Sequence, residues 1–89
     1  MQTKQLTVLN KLGLHARPSA LLAKTAGCFK SSITLTHNNH SVDAKSILGL
    51  MTMAVPAGTT LTITTEGPDE VSAVKDIAAL FANKFGEQA

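Results

Sequence analysis

The fold is organised around one short stretch near the N-terminus, Lys11-Leu12-Gly13-Leu14-His15-Ala16-Arg17-Pro18-Ser19. This stretch predicts a loop that runs into the first turn of a helix. Pro18 suits that turn, because its φ already matches a helix and its missing N–H removes no hydrogen bond there. Gly13 can adopt whatever backbone angles the loop requires. His15 therefore falls at the helix N-terminus, where unpaired N–H groups and the helix dipole favour an anion.

The residue types at this helix start indicate phosphoryl-transfer chemistry. His15 supplies a nucleophilic imidazole, and Arg17 supplies a guanidinium that can hold a phosphate or a carboxylate. The helix N-terminus itself, at Ala16, Arg17 and Pro18, would bind the phosphate. Together these groups suggest reversible phosphorylation of a histidine. The alternative is a histidine that only caps the helix or hydrogen-bonds a loop carbonyl, and a single His-x-Arg-Pro is a weak signal for phosphorylation.

Length and composition restrict the class of protein. The chain has 89 residues, enough for a single domain, 1–89, with one core. With 44% hydrophobic and 16% charged residues it is not expected to be disordered, and a net charge of +2 without a basic run argues against nucleic-acid binding. Cys28, the single cysteine, fits a reducing compartment and is expected to be half-buried. Since no stretch has the character of a signal peptide or a membrane span, we expect a cytoplasmic domain that does not insert into membranes.

Alternating polar and apolar residues predict four strands, near residues 5–9, 32–36, 41–44 and 60–65. The turn His37-Asn38-Asn39-His40 is expected to join the second strand to the third, because asparagine tolerates positive φ. His37 and His40 have no further ligand near them in sequence, so we expect no metal site and no cofactor.

Helical periodicity predicts three helices: Ala16 to about Ala26, a short helix over 45–53, and a last helix from Gly67-Pro68-Asp69-Glu70 to Gly86. The apolar stripe of the last helix comprises Val71, Val74, Ile77, Ala78, Phe81 and Phe85. The element order β-α-β-β-α-β-α predicts an α+β fold, in which three helices cover one face of a four-stranded antiparallel sheet. The last strand can insert between the first two.

Two surface features are candidates for binding other proteins. Arg17, Leu21 and Lys24 share the helix face opposite the core, which would leave Leu21 bare between two cations. In the short second helix, which Ser46 is expected to cap, apolar residues surround the axis. Some of them must stay exposed on so small a domain, and we expect a protein-binding patch there. A fully buried helix is the alternative.

Two stretches resemble signatures of the HPr family, the histidine-containing phosphocarriers of the bacterial phosphotransferase system. They are Asn10-Lys11-Leu12-Gly13-Leu14-His15-Ala16-Arg17-Pro18 and Ala44-Lys45-Ser46-Ile47-Leu48-Gly49-Leu50-Met51. The spacing of the two stretches, the length and the element order also agree with the family. The resemblance therefore covers essentially the whole chain, and it implies an HPr-like open-faced sandwich.

The resemblance implies that His15 accepts a phosphoryl group on Nδ1 from phosphorylated Enzyme I and passes it to an EIIA domain in sugar uptake. Arg17 would assist at the phosphate, and the protein would be a carrier rather than an enzyme. Ser46 would be phosphorylated by an HPr serine kinase/phosphorylase, or would serve only as a helix cap. We expect a monomer whose docking residues are Leu21, Lys24, Ile47, Leu48 and Met51.

Two other functions remain open at this point. A carrier of the nitrogen-related branch, which serves a regulatory EIIA, has the same residues around its histidine. A regulatory protein-binding module controlled by phosphorylation of Ser46 is the other alternative, although in such modules the active histidine is replaced and His15 is present here.

Overall fold

The fold consists of an antiparallel sheet with helices packed on one of its faces. The computed structural model describes residues 1–53 and 55–87, and over these residues the chain forms four strands, three α-helices and one 3-10 turn. The elements are β1 (Gln2–Thr7), α1 (Ala16–Ala26), β2 (Ser32–His37), β3 (His40–Asp43), α2 (Ile47–Met53), β4 (Thr60–Glu66), α3 (Glu70–Ala82) and the 3-10 turn Lys84–Gly86. The predicted α+β class and element order are confirmed.

The strand order is β1-β4-β2-β3, so the last strand lies between the first two, as predicted. Leu6 of β1 lies opposite Leu61 of β4, and Leu35 of β2 lies opposite Ile63 of β4. All four side chains are buried, because the alternation of a strand directs every second residue to the covered face. β2 and β3 are joined by a two-residue turn in which both residues have positive φ, as predicted.

The core lies between the sheet and the helices. Leu22 of α1 and Ile77 of α3 are fully buried, and Phe81 of α3 is 2% exposed. α3 packs on β1 and β4, and α1 packs against α2 and α3. None of the described helices is long and apolar enough to cross a lipid bilayer.

The last helix differs from its prediction in one member of the apolar stripe and in its length. Val71 is 61% exposed, because it lies about 120° around α3 from the buried Ile77. The helix ends at Ala82 and not at Gly86. Phe85 is buried as predicted, but it lies beyond the helix, in the 3-10 turn.

Two other side chains differ from expectation in their exposure. Leu21 is half-buried and packs against the core, because α1 also contacts α2 and the turn Lys84–Gly86. It is therefore not a bare surface leucine. Cys28 is exposed and not half-buried, because it lies just after the end of α1. Its thiol donates to the Lys24 carbonyl at 3.5 Å.

Candidate functional site

The loop before α1 is fixed by a close approach of two backbone segments. The N–H of Leu14 donates to the carbonyl of Val55 at 3.0 Å. Gly13 has a φ of +72°, and a Cβ at this position would press on the Val55 carbonyl and lie 2.9 Å from Cα of Pro56. Glycine is therefore required here, both for the backbone angle and for the space. This contact sets the direction of the chain immediately before His15.

His15 is the N-cap residue of α1, where the sequence predicted it. Its backbone is extended, with φ −87° and ψ −169°, and its carbonyl accepts the N–H of Ser19 at 3.0 Å. Within the described chain its imidazole makes no capping hydrogen bond, so the alternative of a simple cap is wrong. Because Pro18 has no N–H, the groups that need acceptors from outside the helix are the N–H groups of Ala16 and Arg17.

The imidazole pairs with a carboxylate that the sequence analysis missed. Nε2 of His15 lies 3.0 Å from Oε2 of Glu87, and the two side chains are 34% and 15% exposed. Asn10 is fully buried, and its Nδ2 donates to Oε1 of Glu87 at 3.0 Å and to the Gly13 carbonyl at 2.6 Å. Since a carboxylate only accepts hydrogen bonds, the proton of the neutral imidazole lies on Nε2. Nδ1 is then the ring nitrogen that carries the free lone pair.

A left-handed turn after α3 brings Glu87 back to the start of α1. The residues of Lys84–Gly86 have φ values of 53°, 55° and 78°. The ring of Phe85 is buried edge-on against that of Phe81, with the ring centroids 4.9 Å apart. Sequence reasoning could not place Glu87, because it lies 72 residues after His15 and two of the three left-handed residues are not glycine.

The cations of α1 lie at opposite ends of the helix. Arg17 is exposed in the first turn, and Lys24 is exposed in the last turn, about 10 Å further along the axis. The ion pairs among the described residues join the Met1 amino group to Glu70 and His15 to Glu87, and neither involves Arg17. The Arg17 guanidinium can therefore turn towards an anion at the helix N-terminus.

The cap and the exposed patch predicted for α2 are both present. Oγ of Ser46 accepts the N–H of Gly49 at 3.1 Å. Leu48 is 78% exposed, and Ile47 and Met51 are each 45% exposed, while the other apolar residues of the helix are buried. We call Ile47, Leu48 and Met51 the α2 patch. The alternative of a fully buried helix is wrong.

A shallow groove of about 290 Å³ lies beside the imidazole and was not predicted. It is lined by Leu12, Leu14, His15, Val55 and Pro56. Leu12 is 71% exposed, so the groove offers apolar contact area next to the imidazole. Over the described residues, the site thus combines an imidazole, helix N–H groups without an acceptor, an arginine outside the ion pairs and apolar surface.

The other two histidines lie at the turn between β2 and β3. His37 and His40 are opposite each other in the antiparallel register of β2 and β3. Over residues 1–53 and 55–87, no three His, Cys, Asp or Glu side chains are arranged to hold a metal ion.

Comparison with known proteins identifies close relatives. Residues 2–83 match the family model PTS-HPr, described as the phosphorylation site of the HPr component of the phosphotransferase system. The phosphocarrier protein HPr of Cupriavidus necator is 49% identical over 87 residues, which are 98% of each chain. The crystal structure of HPr-C-His from Thermoanaerobacter tengcongensis is 42% identical, with a TM-score of 0.96 over 100% of both chains. Crh of Bacillus subtilis, a catabolite repression protein whose crystal structure is a domain-swapped dimer, is 39% identical with a TM-score of 0.76, over 94% of this chain and 97% of that one.

Proposed function

Since the chain belongs to the HPr family, the phosphocarriers of the phosphotransferase system, we propose that His15 carries the phosphoryl group on Nδ1. The group arrives from phosphorylated Enzyme I and leaves to a histidine of an EIIA domain. The observation that carries this proposal is the pairing of Nε2 with Glu87 at the N-terminus of α1, which leaves Nδ1 as the nucleophile.

The surroundings of His15 supply what phosphoryl transfer needs. Catalysis of this transfer consists mainly of positioning and of stabilising the charge on the phosphoryl oxygens. The N–H groups of Ala16 and Arg17 and the helix dipole can accept that charge, and the exposed guanidinium of Arg17 adds a cation. Because these groups do not enclose the phosphate, the phosphoryl group can still leave to the next protein.

The α2 patch and the groove at Leu12 are the surfaces we assign to docking. Both expose apolar side chains, and the patch lies on α2, which packs against the helix that bears His15. Enzyme I and EIIA domains would use this surface in turn, and methionine adapts to more than one partner. Lys24 and the half-buried Leu21 would lie at its border.

Ser46 is the residue we assign to regulation by an HPr serine kinase/phosphorylase. Its hydroxyl caps α2 directly beside Ile47, so a phosphate there adds about two negative charges at the edge of the α2 patch. The helix N-terminus tolerates this charge, whereas the docking surface does not. Phosphorylation would therefore slow the loading of His15 without unfolding the domain.

Two further assignments complete the proposal. The protein acts in the cytoplasm, where an exposed thiol such as Cys28 stays reduced. It works as a monomer, because each transfer requires the surface around His15 to be free for a transient partner.

The test is incubation with Enzyme I and labelled phosphoenolpyruvate, comparing the wild type with His15→Ala. We expect acid-labile, alkali-stable label on the wild type and none on the variant. Adding an EIIA domain should then remove the label from the wild type. A folded wild type that takes up no label would contradict the proposal.

A further inference from the structure

The contact between His15 and Glu87 is held by several parts of the chain. One oxygen of the Glu87 carboxylate meets Nε2 of His15, and the other accepts a hydrogen bond from the buried Asn10. Asn10 is itself anchored to the Gly13 carbonyl. The carboxylate is thus fixed from two sides and does not move freely in water. Glu87 also lies outside residues 2–83, to which the family model extends, so the match itself does not imply the contact.

The backbone that delivers Glu87 is in an unfavourable conformation. Lys84 and Phe85 both have positive φ, which L-residues other than glycine avoid. Such a conformation persists only where the surrounding packing compensates for it. The burial of the Phe85 ring against Phe81 provides this compensation. The placement of Glu87 is therefore part of the fold.

We propose that Glu87, held by Asn10, is a positioning residue that keeps a proton on Nε2 of His15 in both the free and the phosphorylated protein. This inference rests on the proposed function and adds a proton-holding group to it. In the free protein, Glu87 selects the tautomer whose Nδ1 lone pair is available. In the phosphorylated protein, its charge stabilises the positively charged ring.

The transfer then requires no proton movement at the ring. The Nδ1 lone pair of His15 forms the bond to phosphorus, and the nitrogen of the donor keeps the electron pair of the P–N bond that breaks. The ring gains a positive charge, which faces the Glu87 carboxylate across the 3.0 Å contact. When the phosphoryl group moves on, the electron pair of the N–P bond returns to Nδ1. The ring is again neutral with its proton on Nε2.

The test compares Glu87→Gln with Glu66→Gln, which removes the same charge from an exposed residue at the end of β4. The first readout is the tautomer of each histidine, from the ¹⁵N shifts of the ring nitrogens at about pH 8, where a free imidazole is neutral. His37 and His40 are internal controls in the same spectrum. The second readout is the pH profile for hydrolysis of the phosphate on His15. Phosphoramidate serves as the phosphoryl donor, so neither readout depends on Enzyme I.

We expect the wild type and Glu66→Gln to carry the proton of His15 on Nε2. In Glu87→Gln one amide oxygen must serve two donors, Nε2 of His15 and Nδ2 of Asn10. The Nε2–H form of His15 therefore loses population, and the midpoint of the hydrolysis profile moves to lower pH by about one unit. Glu87→Asp, which keeps the carboxylate, should remain closer to the wild type.

A Glu87→Gln protein whose tautomer and hydrolysis profile both coincide with those of Glu66→Gln would overturn the inference. A wild type that Enzyme I does not label would instead contradict the proposed function, while the two readouts on Glu87 would still be measurable.

Discussion

The carboxylate of Asp69 and the hydroxyl of Ser31 form a hydrogen bond, and the same carboxylate accepts the backbone N–H of Ser31 at 2.9 Å. The N–H of Lys30 also donates to it at 2.9 Å. These bonds tie the start of α3 to the start of β2. Because the Ser31 hydroxyl and then the Lys30 N–H stabilise the charged form, the pKa of Asp69 is lowered from 3.8 to about 2.

This lowered pKa predicts that the protein loses stability in acid through Asp69. As the pH falls, the Asp69 carboxylate is protonated in the unfolded chain at a higher pH than in the folded chain. The stabilisation that Asp69 contributes is therefore complete above the ordinary pKa of 3.8 and is lost as the pH falls through about 2. Urea unfolding between about pH 5 and pH 2 should show this loss in the wild type, and Asp69→Asn should reduce it. Asp76→Asn, at an exposed position of α3, should behave like the wild type.

Ser31→Ala removes the hydroxyl that donates to Asp69 and should lower the free energy of unfolding by about 1–2 kcal/mol.

Gly13→Ala should damage both stability and the placement of His15. The new Cβ would meet the Val55 carbonyl at a φ of +72°, and we expect a loss of at least about 2 kcal/mol in the free energy of unfolding. Gly58→Ala is the matched control, because its φ is +88° but a Cβ there has open space. It should cost about 1 kcal/mol and leave the rate of His15 phosphorylation unchanged. Equal losses in the two variants would contradict this account of the loop.

Arg17→Ala should slow the transfer of the phosphoryl group without changing the free energy of unfolding. The residue is exposed and joins neither ion pair of the described chain, so we assign its cation to the phosphoryl oxygens. We expect the rate of transfer to fall by about 10–100-fold. Lys24→Ala removes a cation from the far end of the same helix and should have a much smaller effect. Rapid-quench kinetics with Enzyme I measure the transfer rate of each variant. Equal rates for Arg17→Ala and Lys24→Ala would contradict the assignment of Arg17 to the phosphoryl oxygens.

Ser46→Asp should slow the loading of His15 and leave the fold intact. The aspartate can still cap α2, so we expect the free energy of unfolding to change by less than about 0.5 kcal/mol. The charge beside the α2 patch should lower the rate of phosphorylation by Enzyme I about tenfold. Ser72→Asp adds the same charge to the first turn of α3 and should be loaded at the normal rate. Normal loading of Ser46→Asp would rule out the regulatory role.

Leu48→Ala should weaken docking without destabilising the domain. Its side chain is 78% exposed, so the free protein gains little from it. We assign Leu48 to the centre of the docked complex, so its replacement by alanine should raise KM for phosphorylation by Enzyme I about 5- to 30-fold. Val71→Ala changes an apolar residue of similar exposure on α3 and should leave KM unaltered. A KM that responds equally to both variants would place the docking surface elsewhere.

The oligomeric state gives a further test, because we propose that this protein works as a monomer. We expect light scattering to give the mass of a monomer at micromolar concentration, whereas the crystal structure of Crh is a swapped dimer. A stable dimer would contradict the monomer that we propose.

The parts of the site that lie within one stretch of sequence could be predicted from local patterns. Pro18 marked the helix start and so located His15, and the composition of 46–53 indicated both the Ser46 cap and the exposure of Leu48. Such patterns succeed because capping and helical periodicity depend on residues three or four positions apart.

The remainder of the site depends on long-range geometry. Glu87 reaches His15 only because Lys84 and Phe85 adopt left-handed backbone, and neither residue type indicates that conformation. The same turn explains why the periodicity of α3, extended to Phe85, predicted a helix that was too long. The periodicity correctly predicted that Phe85 is buried, but it did not predict the backbone conformation of the turn in which Phe85 lies.

The identity of the phosphorylated atom decides whether His15 carries the phosphoryl group as proposed. The ¹⁵N-labelled protein is phosphorylated with Enzyme I and phosphoenolpyruvate, and ¹⁵N–³¹P NMR identifies the nitrogen bound to phosphorus. We predict Nδ1 of His15, with Nε2 still protonated and facing Glu87. A phosphoryl group on Nε2 of His15, or on His37 or His40, would contradict the account.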